Sequence, residues 1–252
     1  FVKFNFLLPP LPEQQAIAEA LSDVDNLISS LTKLINKKKN IKQGAMQELL
    51  TGKKRLEGFS GDWKKTFLGE IADTSSGGTP SRSNPKYYSG NIPWVTTSEL
   101  NDKSIHDTNE HITQEGVNSS SAKIFPEYTV LIAMYGATIG KLGILAMQAS
   151  TNQACCALIC NKEILDYKFL FYKLLSMREY IISLGCGAGQ PNISQKIIKS
   201  LEILIPMLPE QTAIAGILSD MDAEIEVLEQ KLNKYKAIKQ GMMHELLTGR
   251  IR

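Results

Sequence analysis

The sequence predicts an α+β protein in which one globular domain lies between two long helices that form a coiled coil. Three observations support this prediction: a duplicated segment at the two ends of the chain, heptad spacing of apolar residues in both copies, and short strand and helix patterns between them. The chain has 252 residues, 43% of them apolar, which is enough to build such a domain around its own core.

The two ends of the chain repeat each other. Residues 8–55 align with residues 205–252 without a gap, and 28 of the 48 aligned positions are identical. The motif Leu-Pro-Glu-Gln at 11–14, for example, returns at 208–211. An offset near 200 residues is too long for a solenoid, so the pattern predicts a duplicated element on either side of a different domain.

Each copy is predicted to be a single long helix. Pro12 and Pro209 suit the first helical turn, where a missing backbone N–H costs nothing. Gly52 and Gly249 suit the position just after the helix end, where a positive φ is favoured. About 38 residues at about 1.5 Å each predict a rod of about 57 Å.

Apolar residues follow heptad spacing in both copies, and the pattern continues over about five heptads. This spacing favours a coiled coil, and the alternative is two amphipathic helices that pack separately on the central domain. The predicted interface residues are Ile17, Leu21, Val24, Ile28, Leu31 and Ile35 of the first copy and Ile214, Leu218, Met221, Ile225, Leu228 and Leu232 of the second.

Gly44 and Gly241 occupy the same place in the two helices, although a glycine costs a helix about 1 kcal/mol relative to alanine. Their shared position suggests a close approach of backbones or a bend near the helix end. A tolerated defect that was inherited through the duplication explains it equally well.

The alignment also sets the domain boundaries. Residues 1–9 align with residues 198–206, which alternate like a strand, so the chain is predicted to begin with the last strand of a preceding domain that it lacks. The predicted parts are a remnant strand at 1–10, a first helix at 11–52, a globular domain at 53–207 and a second helix at 208–250.

The central residues mix short strands and helices without regular βαβ order. Strands are predicted at 91–97, 129–135, 139–147, 154–160 and near 201–205, helices at 166–184 and 193–200, and a short amphipathic segment at 63–73.

Three glycine-containing polar loops interrupt these elements, at 75–88, 135–141 and 185–192. The second loop has three residues rather than four between its glycines, and Leu142 follows its lysine, so it is not a phosphate-binding P-loop. The third loop lacks the GxGxxG spacing of dinucleotide-binding folds. Backbone N–H groups next to glycines can nevertheless approach phosphate oxygens, although each loop taken alone is equally compatible with a solvated turn.

The remaining composition indicates a non-catalytic protein. The formal net charge of +2 does not by itself indicate a nucleic-acid or membrane partner. The four cysteines show no metal-ligand spacing and are expected to be reduced thiols of a cytoplasmic protein; they are Cys155, Cys156, Cys160 and Cys186. We predict no catalytic residue, no metal, no cofactor and no membrane segment.

Several motifs together resemble the specificity subunits of type I restriction-modification systems. They are Gly78-Thr79-Pro80-Ser81, Ile92-Pro93-Trp94-Val95, Tyr135-Gly136-Ala137-Thr138-Ile139-Gly140-Lys141, Thr151-Asn152-Gln153-Ala154, and a closing strand that runs into Leu208-Pro209-Glu210-Gln211 and a long helix. The resemblance covers essentially the whole chain, and the helix start with its repeat is its most specific part.

The resemblance implies a non-catalytic DNA-binding subunit. In that family two target-recognition domains each contact one half of a split DNA sequence, and two antiparallel helices space the domains and dock the methyltransferase subunits. This chain would correspond to the first helix, the second recognition domain and the second helix. Its implied partners are double-stranded DNA, methyltransferase subunits, a restriction subunit through the complex, and a second copy of the chain in a homodimer. The alternative is a coiled-coil adaptor whose central domain binds another protein.

The resemblance and the polar loops together suggest which residues contact DNA. Candidates for base contacts are Arg82, Lys86, Asn152, Gln153, Gln190 and Asn192, because such side chains match guanine or adenine edges. Candidates for phosphate contacts are Ser75, Thr79, Ser81, Thr97, Thr138, Lys141 and Lys196, whereas Tyr87, Tyr88 and Tyr135 are candidates for stacking or for the core. The basic residues near the end of the first helix are expected either to be a solvated face or to lie along DNA phosphates.

Overall fold

A computed structural model describes residues 8–185 and 192–249. The chain divides into two compact units. The helical unit comprises the chain up to Ala45 together with the chain from Ile217 onward, and the globular unit comprises Met46–Gly216.

The described residues form seven helices and eleven strands in the order that an α+β fold requires. The helices are α1 (Leu11–Leu49), α2 (Leu68–Ile71), α3 (Gln114–Asn118), α4 (Tyr167–Ser176), α5 (Arg178–Ser183), α6 (Gln195–Lys199) and α7 (Leu208–Leu247). The strands are β1 (Lys64–Phe67), β2 (Ala72–Ser76), β3 (Ile92–Val95), β4 (Lys103–Ile105), β5 (His111–Ile112), β6 (Ile124–Phe125), β7 (Val130–Ala133), β8 (Leu142–Leu145), β9 (Ala149–Thr151), β10 (Cys155–Cys160) and β11 (Glu202–Ile205). Two 3₁₀ turns lie at Pro85–Tyr88 and Thr97–Glu99.

Ion pairs show that α1 and α7 run antiparallel in the helical unit. Lys239 Nζ lies 2.6 Å from Asp25 Oδ1, and Lys42 Nζ lies 2.5 Å from Asp222 Oδ1. As the residue number on α1 rises, the number of its partner on α7 falls, which only antiparallel helices give. The two prolines lie in the first turns of these helices, and φ is 71° at Gly52 and 69° at Gly249, as the sequence predicts.

The predicted interface residues face inward to different extents. Within the helical unit Leu31, Ile35, Leu218 and Ile225 are buried, and Ile17, Leu21, Val24, Ile28, Met221, Leu228 and Leu232 are partly buried. Ile214 is buried inside the globular unit. Larger exposed fractions belong to apolar residues off this spacing, such as Ile41 at 47% and Val227 at 63%.

The basic end of α1 is paired with acidic residues of α7. Lys38 lies 2.6 Å from Glu224, Lys39 lies 2.6 Å from Glu229, and Lys42 is paired with Asp222. Because most of these side chains are partly exposed, each pair contributes little to stability. The pairs nevertheless compensate the positive charges of these lysines, which the sequence alone suggests as candidates for contacts with DNA phosphates.

Neither helix glycine lies against another backbone, so the close-approach interpretation is wrong. A Cβ added at Gly44 or Gly241 would meet nothing within 4 Å.

We therefore expect Gly44→Ala and Gly241→Ala each to raise the free energy of unfolding by about 0.5–1 kcal/mol, because alanine loses less conformational entropy than glycine when it is fixed in a helix. Urea denaturation followed by circular dichroism measures this, with Gly52→Ala as the control that should destabilise. A lower free energy of unfolding in both Gly44→Ala and Gly241→Ala would contradict the conclusion that neither glycine lies against another backbone.

The globular unit contains three sheets. The five-stranded sheet has the order β2-β10-β7-β8-β4, the four-stranded sheet has the order β5-β3-β9-β6, and β1 pairs with β11. Most neighbours are antiparallel, but β4 pairs with β8 and β3 with β9 in parallel. Strands β7 and β8 are buried along their whole length and form the centre of the core.

Several predicted elements have different bounds. Residues 64–71 form a strand and a short helix rather than one amphipathic segment, and the predicted helix at 166–184 breaks at Met177 into α4 and α5. Strand β2 extends into the predicted first loop, so Ser75 and Ser76 lie in a strand. Strands β4, β5, β6 and β9 have only two or three residues, which is too short for an alternating pattern to be visible.

The globular unit extends beyond the predicted domain of 53–207 because the ends of both long helices pack into it. The side chain of Gln211 is 0% exposed; its amide nitrogen donates to the carbonyl oxygens of Ile164 and Pro206, each at 2.9 Å, and its oxygen accepts from the backbone N–H of Asp166 at 3.0 Å. Buried Lys173 donates to the carbonyl oxygen of Leu50 at 2.7 Å, which satisfies a carbonyl at the end of α1. Burial lowers the pKa of Lys173.

Glu210 also fixes the start of α7 inside the globular unit. It is 2% exposed, and its two carboxylate oxygens accept from Arg55 Nε at 2.7 Å and Arg55 Nη2 at 2.8 Å. The hydrogen bond to Glu210 raises the pKa of Arg55. The shared motif at the helix start is therefore a structural element of the globular unit in its second copy.

Across the two ranges that the structure describes, no helix combines the length and the apolar character needed to cross a bilayer.

Candidate nucleic-acid interface

Backbone hydrogen bonds join residues in or next to the three polar loops of the globular unit. The backbone N–H of Gly78 donates to Thr151 O, that of Met134 to Ala154 O, and that of Ile193 to Met134 O, each at 2.8 Å. The first loop is thus joined to the turn between β9 and β10, and Met134, just before the second loop, is joined both to this turn and to Ile193, which follows the third loop; residues 186–191 of the third loop lie outside the described residues. We name this surface the loop face; it comprises residues 75–79, 134–135, 152–154 and 192–196.

Two glycines allow the first loop to lie close to its neighbours: Gly77 faces the turn after β9, and Gly78 faces the segment just before β6. A Cβ on Gly77 would lie 1.9 Å from Thr151 O, and one on Gly78 would lie 2.4 Å from the backbone nitrogen of Ala122. Trp94 Nε1 donates to Gly78 O at 3.0 Å and fixes the loop from beneath. Because any side chain would clash with backbone here, the sequence Gly-Gly is a steric requirement of the loop face.

Gln153 presents a side-chain amide at the centre of the loop face. Its Oε1 accepts from Thr79 Oγ1 at 2.6 Å, and the residue is exposed. Among the described residues its amide nitrogen has no hydrogen-bond partner. An amide that is oriented through its oxygen and keeps its NH₂ group available has the donor and acceptor pair that matches an adenine edge.

Asn152, the other amide of this turn, has a structural role. The side-chain Oδ1 of Asn152 accepts from the backbone N–H of Ala154 at 3.2 Å, and the backbone N–H of Asn152 donates to Val95 O at 2.9 Å. Since β3 and β9 are parallel, both strands end at the same edge, and Thr97 follows β3 there. Thr97 is partly buried.

The sequence did not identify two side chains at the edge of the loop face. Lys123 Nζ donates to Ser75 Oγ at 2.9 Å, and Gln195 Nε2 donates to Ser76 Oγ. Gln195 is adjacent to the predicted Lys196 in α6, and this proximity could have indicated it. No signal marked Lys123, because β6 is a two-residue strand next to it.

A second group of candidates lies beside β3 and β5. Arg82 forms a two-armed pair with Glu110, at 2.6 and 3.2 Å, and its guanidinium lies 4.1 Å from the ring centroid of Tyr88. The hydrogen bond to Glu110 raises the pKa of Arg82. Ser81 Oγ contacts Ser83 Oγ at 2.8 Å, Lys86 is exposed, and Tyr87 is partly buried. Arg82 would have to leave Glu110 to contact a base, so it stays a prediction.

The second loop begins and ends beside Met134 of the loop face, because the N–H of Gly140 donates to Ala133 O and that of Ala133 to Lys141 O, each at 2.9 Å. Tyr135 is partly buried, and burial raises the pKa of its phenol. The carbonyl oxygen of Thr138 accepts from the backbone N–H of Lys141 at 2.9 Å, which closes the turn. Lys141 Nζ lies 3.3 Å from Asp102 Oδ2.

The last candidates belong to the third loop and α6. Asn192 and Lys196 are both exposed, and Ser194 caps α6 by accepting from the backbone N–H of Ile197 at 3.2 Å. Gln190 lies outside the described residues. The structure therefore brings Ser75, Thr79, Tyr135, Asn152, Gln153, Asn192 and Lys196 to the loop face.

The three described cysteines are buried or partly buried thiols. Cys155, Cys156 and Cys160 form no disulfide with one another, and Cys186 lies outside the described residues. Burial raises the pKa of Cys156 to about 12 and that of Cys160 to about 12, so both thiols stay protonated at neutral pH.

The fold is that of a mixed α+β domain, placed in the chain between two long antiparallel helices, whose loop face presents amide, hydroxyl and ammonium groups. The family described as Type I restriction modification DNA specificity domain matches residues 60–237. The chain belongs to this family, which confirms the resemblance.

Known relatives agree with this assignment. The chain is 28% identical over 270 residues to the type I restriction enzyme MjaVIII specificity subunit of Methanocaldococcus jannaschii, a match that covers 100% of this chain and 63% of the relative. The HsdS subunit from Thermoanaerobacter tengcongensis has a similar fold, with a TM-score of 0.62 and 18% identity over 98% of this chain and 60% of that one. The S subunit from M. genitalium gives a TM-score of 0.65 and 17% identity over 94% and 61%. The chain thus spans about six tenths of the length of these relatives.

Proposed function

We propose that this chain is part of the DNA-recognition subunit of a type I restriction-modification complex and that its loop face contacts one half of a split target. The observation that carries the proposal is that polar segments distant in sequence, at 75–79, 134–135, 152–154 and 192–196, are joined by backbone hydrogen bonds of 2.8 Å. Contacts to base edges require side chains held in fixed positions, and this surface provides them.

The groups on the loop face suit two kinds of contact, one with the DNA bases and one with the DNA phosphates. Gln153 has a donor and an acceptor for an adenine edge, whereas Thr79 orients it through their hydrogen bond and would contact a phosphate. Lys123 and Lys196 supply positive charge at the edge of the face, where phosphate contacts position a protein without selecting sequence.

The long helices support the remaining part of the proposal. In a complete assembly they would set the spacing between two recognition domains and dock the methyltransferase subunits, with the restriction subunit joining through the complex. A second domain would come from the rest of a longer subunit or from a second copy in a homodimer. Methylation and cleavage would reside in the partner subunits in the cytoplasm, so this chain contributes recognition and no catalysis.

Selection from random double-stranded DNA tests the base contact that we assign to Gln153. The wild-type chain, alone or with its methyltransferase subunit, should enrich one short half-site. Gln153→Ala should lose preference at one base pair, by about 1–3 kcal/mol, because one bidentate contact is removed. Gln148→Ala is the matched control, since Gln148 is an exposed glutamine at the opposite end of β9 and should not alter the selected sequence.

Two outcomes would contradict the proposal at different levels. Failure of the wild-type chain to enrich any sequence under either condition would overturn DNA recognition by this domain. An unchanged half-site in Gln153→Ala would instead remove Gln153 from the base contacts and leave the recognition function standing.

A further inference from the structure

Asp102 holds the end of the second loop from an unusual backbone conformation. Its φ is 64°, a left-handed value that few residues other than glycine adopt. Its N–H donates to Leu142 O at 2.9 Å, and its Oδ1 accepts from the N–H of Leu142 at 3.0 Å. The carboxylate is therefore fixed to the first residue of β8, directly after the loop.

Two cations face this single carboxylate. Arg178 Nη2 donates to Oδ1, while Lys141 Nζ lies 3.3 Å from Oδ2. The side chains of Asp102 and Arg178 are 20% and 23% exposed, but that of Lys141 is 45% exposed. The Lys141–Asp102 pair is thus longer and more solvated than the Arg178–Asp102 pair. Such half-exposed pairs contribute little to stability.

Arg178 is anchored independently of Asp102. Its Nε donates to Gly140 O at 2.9 Å, so one guanidinium spans both the loop and the carboxylate. If Lys141 leaves, Asp102 keeps a charged partner and a backbone N–H, and no mostly buried carboxylate is left without a cation. Without Arg178, by contrast, Lys141 would be the one remaining cation paired with Asp102 in the ion pairs seen among the described residues, and its departure would leave the carboxylate uncompensated by them.

We propose that Arg178 is a positioning residue that neutralises Asp102 and thereby releases Lys141 to bind a DNA phosphate. The inference rests on the proposed function, because it assigns a role to a loop that begins at the loop face. Lys141 exchanges a weak ion pair for a phosphate contact and displaces a condensed counterion from DNA. Arg178 itself does not contact DNA in this mechanism.

The test measures the affinity of the full chain for a short duplex of arbitrary sequence over a series of NaCl concentrations. Loss of one phosphate contact should reduce the slope of log affinity against log salt by about 0.9. We expect this reduction in Lys141→Ala and the same reduction in Arg178→Gln, although Lys141 is still present in the latter. The double variant should show no further reduction, and Arg178→Lys should retain most of the wild-type slope.

A rescue variant separates this mechanism from simple damage to the loop. Asp102→Asn removes the charge that retains Lys141, while its amide oxygen can still accept from the N–H of Leu142. Asp102→Asn combined with Arg178→Gln should therefore recover the slope that Arg178→Gln alone loses. Structural damage predicts the opposite, because the double variant removes more native contacts than the single one does.

The outcomes are distinguishable from failure of the proposed function. If the wild-type chain binds no DNA either alone or with its methyltransferase subunit, both proposals fall. If it binds DNA but Lys141→Ala keeps the wild-type slope, or the Lys141 and Arg178 effects add, only this inference is overturned. Lack of rescue in the Asp102→Asn double variant would also overturn it. Thermal unfolding of each variant shows whether it is folded at the assay temperature.

Discussion

Gln211→Ala should lower the free energy of unfolding of the globular unit by about 3 kcal/mol. The substitution leaves the N–H of Asp166 and the carbonyl oxygens of Ile164 and Pro206 without their partner. The bond to Pro206 is buried and the other two are partly buried, and a buried polar group left unpaired costs about 1–3 kcal/mol. Both tryptophans of the chain, Trp63 and Trp94, lie in the globular unit, so urea denaturation followed by tryptophan fluorescence reports on this unit.

The repeat supplies a matched control for this prediction. Gln14 occupies the same place in the first copy of the motif, but it is only partly buried, and among the described residues its side chain makes one hydrogen bond, of 2.7 Å, to Pro9 O. Gln14→Ala should therefore change the same free energy by no more than about 0.5 kcal/mol. Equal effects of the two substitutions would show that the contacts of Gln211 do not fix the start of α7.

Gly77→Ala should have a comparably large effect because it forces a Cβ to within 1.9 Å of the carbonyl oxygen of Thr151. The first loop or the turn after β9 must move, and such overpacking costs about 3 kcal/mol or more when backbone meets backbone. The variant should also lose sequence selection, since Thr79 and Gln153 no longer meet. Urea denaturation and DNA selection measure the two consequences separately.

Gly216→Ala is the control for the effect of a glycine substitution itself. Gly216 lies in α7 within the globular unit, and an added Cβ would meet nothing within 4 Å. We expect a gain of about 0.5–1 kcal/mol there, the opposite sign to Gly77→Ala. A stable Gly77→Ala variant that still selects the same DNA sequence would mean that the close approach is unnecessary for the loop face.

The helices could be predicted from the sequence because their signals are local and were present twice. The prolines at the helix starts, the glycines after the helix ends and the heptad spacing each depend on neighbouring residues alone. The motif at 210–211 shows the limit of this reasoning. Its two copies have the same sequence, yet Gln211 is buried in the globular unit, whereas Gln14 is only partly buried.

The loop face could be predicted only in part, since its assembly depends on strand order. Gln153 and Thr79 meet because β10 pairs with β2, and no sequence pattern reveals that pairing. Arg82 was a reasonable candidate for base contacts, but its partner Glu110 is 28 residues away and could not be inferred. In the same way, the lysines of α1 suggested a basic surface until the antiparallel register placed acidic residues of α7 beside them.

Photo-crosslinking from defined positions tests most directly whether the loop face is the DNA-binding surface. A photoreactive amino acid is placed at Gln153 or at Lys162; these exposed residues flank opposite ends of β10. At about 3.3 Å per residue the strand separates them by roughly 20 Å or more. We expect crosslinks to the selected duplex from position 153 and none above background from position 162. Crosslinks from position 162 with none from position 153 would contradict the assignment of the loop face to DNA recognition.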